Sequence, residues 1–144
     1  MRIAEILRTK GNAVVTARPE TEVRALVVLL TEHNIGAVVV SPDGARIAGI
    51  VSERDIVRAL GRYGSDLLGL PAARIMTAAV HVCSPDDHVE SLRRIMTEHR
   101  VRHLPVVVDD RIAGIVSIGD VVKSALSELA TEREQLVEYV QRSY

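Results

Sequence analysis

The sequence predicts an α+β fold with an α/β-like order of elements. Two β-α-β-β-α units are related by a pseudo-twofold axis, each a small sheet with its helices on one face. Two observations carry this expectation. The first is an internal repeat: residues 46–52 (Arg-Ile-Ala-Gly-Ile-Val-Ser) recur unchanged at 111–117, and an Asp stands three residues after each Ser, at Asp55 and Asp120. Upstream the match continues at a displacement of 66, with Thr31-Glu32-His33 against Thr97-Glu98-His99 and Pro19 against Pro85, so one extra residue lies in the first copy near Ala45. The second is that hydrophobic spacing alternates between strand and helix periods in the same order in both copies.

The elements follow in sequence. Residues 14–16 read as a short strand ended by Pro19. Thr21 offers an N-cap hydroxyl, and Val23, Leu26, Val27 and Leu30 follow at the spacing of an amphipathic helix closed by Asn34 and Gly36. Residues 37–40 form a strand, Ser41-Pro42-Asp43-Gly44 a turn, and residues 46–51 the return strand. Residues 53–60 make a helix with Ile56, Val57 and Leu60 facing inward, stopped by Gly61. In the second copy the series is strand 80–82, helix 89–100, strand 104–108, a tight turn at Asp109-Asp110 and strand 112–116. Asp87 and Glu90 have capping-box spacing for the helix. A last helix runs from about Ile118 nearly to the end, with Val122, Leu126, Leu129, Leu136 and Val140 on a stripe interrupted by Arg133. The chain thus divides into repeat 1 (1–62), a linker with room for a turn of helix (63–77), repeat 2 (78–126) and a C-terminal helical extension (127–144). Neither copy buries both faces of its sheet alone, so the two should pack on each other.

Composition narrows the function classes. Of 144 residues 47% are apolar, yet there is no Phe or Trp, so the core must be branched aliphatics, which suit half-covered sheets. With 18 basic against 19 acidic residues there is no bulk field for a nucleic acid or a membrane surface, and no nucleic-acid partner is expected. Cys83 is alone, which excludes an intrachain disulfide and a cysteine-rich zinc cluster. Residues 1–11 lack a long apolar region and no run is long enough to span a bilayer, so the expectation is a cytoplasmic protein without a signal peptide or a membrane role. No nucleophile-elbow, zinc-protease or phosphate-loop motif occurs, so no catalytic residues and no catalytic cofactor are expected. His81 and Cys83 share one face of a strand, and His88, His99 and His103 lie nearby. No further ligands follow at motif spacing, so no metal site is assigned.

The strand-Gly-x-x-Ser-x-x-Asp pattern has chemistry of its own. It sets a Ser hydroxyl and free backbone N–H groups at the start of a helix, where a phosphate is attracted. An ionised Asp one turn in accepts from both hydroxyls of a ribose. The same spacing is that of a capping box, and capping and binding are compatible.

Gly49-Ile-Val-Ser52-Glu-Arg-Asp55 and Gly114-Ile-Val-Ser117-Ile-Gly-Asp120 resemble the Gly-hydrophobic-x-Ser/Thr-x-x-Asp signature of cystathionine-β-synthase (CBS) domains. Ala73-Arg-Ile-Met76 and Val101-Arg-His-Leu-Pro-Val-Val107 fit the same pattern, and the likeness is nearest to free-standing bacterial tandem pairs. The resemblance implies a regulatory sensor that binds an adenine nucleotide (AMP, ADP, ATP or NAD(H), with S-adenosylmethionine also open) in the cleft between the copies. It also implies a homodimer and an effector protein that the sequence does not identify. Ser52, Asp55, Ser117 and Asp120 then take the phosphate and ribose roles. Arg102 and His103 supply charge where the first copy has the small pair Gly36 and Ala37, and Arg54 can reach a phosphate where Gly119 cannot. Thr16 stands where family members place a polar contact. The rival readings are a protein-interaction scaffold with degenerate ligand sites and a weak nucleotide hydrolase.

Overall fold

The computed structural model describes residues 1–142; Ser143 and Tyr144, part of the expected C-terminal extension, lie outside the described residues. The chain order is α1 (Ile3–Lys10), β1 (Thr16–Ala17), α2 (Val23–His33), β2 (Ala37–Val40), β3 (Gly49–Ser52), α3 (Glu53–Tyr63), a 3-10 turn (Gly64–Gly69), α4 (Ala72–Ile75), α5 (Val89–His99), β4 (His103–Val108), β5 (Arg111–Ser117) and α6 (Ile118–Arg142). The first sheet has the order β1-β2-β3, with β1 parallel and β3 antiparallel to β2. The second is the antiparallel hairpin β4-β5. The expected strand at 80–82 shrinks to one parallel bridge, Cys83 to Val106, the counterpart of Ala17 beside Val40. Cys83 both donates to Pro105 O and accepts from Val107 N, so one residue supplies the whole third strand of the second sheet.

Helices α2 and α5 form where the 3–4 apolar spacing places Val23, Leu26 and Leu30, and Leu92 and Met96, against the two sheets. Both end on a left-handed residue, Asn34 (φ 51°) and Arg100 (φ 54°). The expected side-chain caps are differently used. Thr21 Oγ1 accepts from Arg18 N and Asp87 Oδ2 from Ser84 N, which closes the turns before the helices and leaves Glu22 and His88 as uncapped N-caps. Nor do Val57 and Leu60 face inward: they are 67% and 49% exposed, and α3 instead packs Ala59 and Ile56 over the fully buried Leu67 of the linker. That buried leucine turns the linker into part of the core.

Each core is completed by the short helix that precedes the other copy. Ile3 and Ile6 of α1 pack with Cys83, Leu92, Met96, Leu104, Val106, Val116 and Val121 of the second copy. Ala72 of α4 packs with Ala17, Leu26, Leu30, Val38, Val40 and Val51 of the first. The backbone docking is repeated bond for bond: Ile3 N and Ala4 N donate to Asp87 O and Pro85 O, as Ala72 N and Ala73 N donate to Thr21 O and Pro19 O. Leu7 then lies over Gly114 as Met76 lies over Gly49, close enough that neither glycine has room for a Cβ. This exchange ties the copies into one folding unit and supplies the missing cover that neither sheet has alone.

Candidate functional site

The two signature segments form full capping boxes. Ser52 is the N-cap of α3; its Oγ accepts from Asp55 N at 3.2 Å, while Asp55 Oδ2 accepts from Ser52 N at 2.8 Å and from Ser52 Oγ at 3.0 Å. Ser117 and Asp120 repeat all three bonds with the same lengths. The next amide is taken as well: Glu53 N donates to Gly36 O at 3.0 Å, and Ile118 N to Arg102 O at 2.8 Å. The serine hydroxyls and the amides of Glu53, Asp55, Ile118 and Asp120 are therefore engaged within the fold, and full positive charge for an anion comes from side chains.

Those side chains surround a cleft of about 630 Å³ between the copies. One wall is the start of α3, with Glu53, Arg54, Asp55 and Arg58; a second is the extended segment after α4, with Thr77, Ala79, Val80 and His81. The third is the end of α5 and the run into β4, with His99, Arg100, Val101, Arg102 and His103. Four arginines thus face two carboxylates. Arg54 Nη1 donates to Arg100 O at 3.3 Å, linking one copy's helix start to the other's helix end. Thr77 Oγ1 lies 3.4 Å from Asp55 Oδ1, a long contact on the carboxylate oxygen that the cap does not use. The His81 and His99 rings stack with centroids 4.0 Å apart. His103 reaches in past Gly36, where a Cβ would stand 2.9 Å from its Cε1. Burial, with the nearby Lys10 and Arg102 charges, holds the His103 imidazole below its ordinary pKa, against the pull of Glu53 and Asp120.

Of the residues singled out from sequence, Gly36, Ser52, Arg54, Asp55, Arg102, His103 and Ser117 line this cleft. Thr16, Ala37 and Asp120 do not. Thr16 lies in β1 beside Val39, Ala37 is buried in β2 opposite Ser52, and Asp120 is held by Lys10 Nζ at 2.7 Å. Sequence reasoning missed Arg58, Arg100, Thr77, Ala79 and Val80. Arg58 carries a signal, one helical turn beyond Arg54; Thr77 falls at the end of the expected linker and Val80 at the start of an expected strand. His81 and His99, weighed as metal ligands, stand in the cleft wall instead. No group of three His, Cys, Asp or Glu able to hold a metal occurs among the described residues. Cys83 is in the core, its thiol pushed up to about 12 by burial and by the Asp87 charge. No helix among the described residues is long and apolar enough to cross a membrane.

Comparison with known proteins agrees with this architecture. The CBS domain family matches twice, at residues 3–62 and 72–127. A mitochondrial CBS domain-containing protein of Arabidopsis thaliana, CBSX3, is 32% identical over 99% of this chain and 73% of its own length. Among solved structures, a CBS-domain containing protein of Agrobacterium tumefaciens superposes with a TM-score of 0.84 at 40% identity, covering 87% of this chain and 99% of that one. The CBS domain pair of protein MJ0100, solved with 5′-methylthioadenosine and S-adenosyl-L-methionine, superposes at 0.77 with 24% identity, covering 89% and 98%. With both repeats matched and the pair of sheets superposing over most of its length, the chain belongs to the CBS domain family.

Proposed function

We propose that this chain is a regulatory module that binds an adenine nucleotide (AMP, ADP, ATP or NAD(H)) in the cleft between its two repeats. The observation that carries this reading is the lining of the cleft: Asp55 stands at its edge with one carboxylate oxygen turned away from the cap, among Arg54, Arg58, Arg100 and Arg102. A ribose hydroxyl on Asp55 and phosphates on the arginines satisfy both charges, and Thr77, Ala79 and Val80 offer a small-residue wall for a base. The volume of about 630 Å³ lies in the ordinary range for small-ligand sites. MJ0100 supplies a precedent for adenosine-type ligands in this fold. Four arginines disfavour the sulfonium cation of S-adenosylmethionine here and favour an anionic ligand.

In this reading the module works as a homodimer. Val122, Leu126, Leu129, Leu136 and Val140 of α6 are all more than half exposed, and with Arg133 they keep the alternating four-three spacing of a coiled-coil seam. Val57 and Leu60 of α3 add a second apolar surface. A second copy of the chain covers both, and the signal passes to a partner protein or into the oligomeric form.

Titration calorimetry with ATP, AMP and adenosine tests the ligand reading. ATP should bind more tightly than adenosine, and Asp55→Ala should weaken both by about tenfold or more, the loss of a charge-assisted bond. Arg102→Ala should weaken ATP more than adenosine, most steeply at low salt. Equal affinity of wild type and Asp55→Ala for ATP would refute the assignment.

A further inference from the structure

Asp55 and Asp120 hold identical caps, yet their surroundings differ. In the first copy α4 stops at Ile75 and the chain turns extended. Thr77 exchanges two backbone bonds with Ile50, at 3.0 and 2.9 Å, and its hydroxyl faces Asp55 Oδ1. This segment is the cleft wall. In the second copy the equivalent helix α1 runs on to Lys10 before Gly11 (φ 94°) ends it. The Ile115 carbonyl then takes the Lys10 ammonium, where the Ile50 carbonyl takes the Thr77 amide. Lys10 Nζ donates to Ile115 O and to Asp120 Oδ2, each at 2.7 Å, with the two side chains 32% and 21% exposed.

The contact falls on Oδ2, the oxygen that also holds the cap, and so pairs the carboxylate whose counterpart the nucleotide reading gives to a ribose. An ammonium presents several donors to a carboxylate, as a diol does, with a full charge behind them. It is tethered, so it forgoes the association cost that a free ligand must meet. The phosphate end of this second position is equally unlike the first, since Gly119 stands where Arg54 stands and Gly36 where Arg102 stands. Asp120 reflects its partner: burial alone would raise its pKa, but hydrogen bonds from Lys10 and Ser117 outweigh that and hold it below the ordinary carboxylate value.

We propose that Lys10 is a built-in occupant of the second ligand position, so that the chain takes one adenine nucleotide, at Asp55, and keeps the Asp120 position closed. This rests on the nucleotide reading above and adds to it a residue that sets stoichiometry. A ribose reaching Asp120 meets a carboxylate already paired with an ammonium at 2.7 Å, whereas Asp55 outside its cap has only the long Thr77 hydroxyl contact at 3.4 Å.

Calorimetry of the full-length chain with AMP tests it. Wild type should bind one equivalent per chain. Lys10→Met, which keeps the stem and removes the ammonium, should bind a second, weaker equivalent, while Lys10→Arg should bind one. Lys10→Gln replaces the Met variant if that protein melts early. Two equivalents on wild type, or one on a folded Lys10→Met or Lys10→Gln variant, overturn the role of Lys10 and leave the Asp55 site standing. Heat from none of these proteins overturns the nucleotide reading and this inference together.

Discussion

Residues 46–52 and 111–117 are the same seven amino acids, yet the first run gives a strand of four residues and the second a strand of seven. The hairpin loops make the difference. In the second copy Asp109 and Asp110 are both left-handed, at φ 51° and 62°, the twist of a two-residue hairpin, and pairing continues to Val108 opposite Arg111. In the first, Asp43 Oδ1 captures the amides of Ala45 and Arg46 at 2.9 and 2.8 Å, and Ser41 Oγ that of Gly44, so these groups are withheld from the ladder. Strand length here belongs to the turn, not to the strand's own residues. The same holds for the signature: one capping box, drawn twice with equal bond lengths, gives its aspartate to the cleft in one copy and to a lysine in the other.

The largest expected difference between the copies lies at the glycines beneath the exchanged helices. A Cβ at Gly49 would lie 2.6 Å from Met76 Sδ and 2.9 Å from Thr77 O; at Gly114 its three nearest neighbours would all be Leu7 side-chain atoms, Cδ2 first at 2.8 Å. A leucine tip can swing aside, but the Thr77 carbonyl is fixed by its pairing with Ile50. Gly49→Ala should therefore cost about 1–3 kcal/mol by denaturant unfolding, as overpacking does, and Gly114→Ala distinctly less. Equal losses would mean that the two exchanged helices are held alike.

Next come the caps. Ser52→Ala and Ser117→Ala should each lose about 1 kcal/mol, and by nearly the same amount, because their bonds are the same. The aspartates should separate. Asp120→Ala also loses the Lys10 pair, so it should destabilise more than Asp55→Ala. Because the folded pKa of Asp120 lies below its ordinary 3.8, its stabilisation is complete above that value and is lost as pH falls through the folded pKa. In Lys10→Met the folded pKa moves back up, so this acid-dependent loss should shrink, which acid unfolding monitored by circular dichroism would show. A smaller effect belongs to the hairpin. Asp110→Gly should raise stability by up to about 1 kcal/mol, since glycine adopts a positive φ without strain, and the seven-residue strand should persist.

These contrasts also show what the sequence could and could not disclose. Two copies, their order of elements and the cap at each Ser-x-x-Asp were legible because identity and periodicity are local properties. The exchange of α1 and α4 was not. Ile3, Ile6 and Leu7 announce an apolar face, but nothing local says which copy it covers, although Ile3-Ala4-Glu5-Ile6-Leu7 does echo Ala72-Ala73-Arg74-Ile75-Met76. Val57 and Leu60 read as inward because periodicity cannot tell a buried apolar face from an exposed one. In the cleft, Asp55, Arg54, Arg102 and His103 were legible from the signature and its flanks, whereas Thr77, Ala79 and Val80 enter through the backbone path after α4. Lys10, 110 positions from Asp120, was beyond any motif.

The smallest expected effect concerns His103, whose surroundings are drawn from both copies. Burial disfavours its charged form first; Lys10 from α1 and Arg102 beside it add to that, while Glu53 from α3 and Asp120 from α6 oppose it. With the folded pKa below the ordinary 6.5, the unfolded chain binds a proton that the folded one refuses in the window just under 6.5. Stability should therefore fall as pH drops through that window, and level off once the folded imidazole is itself protonated. A bound phosphate reverses the electrostatics by adding negative charge beside the ring, so the complex takes up the proton at higher pH than the free protein does. Acidification should then weaken the free fold while tightening ATP. Melting temperatures across about pH 5–8 should drift by on the order of a degree or two in wild type and stay flatter in His103→Gln. The same substitution should remove the pH dependence of ATP affinity. An unchanged affinity profile in His103→Gln would show that His103 is not the group whose protonation tightens ATP.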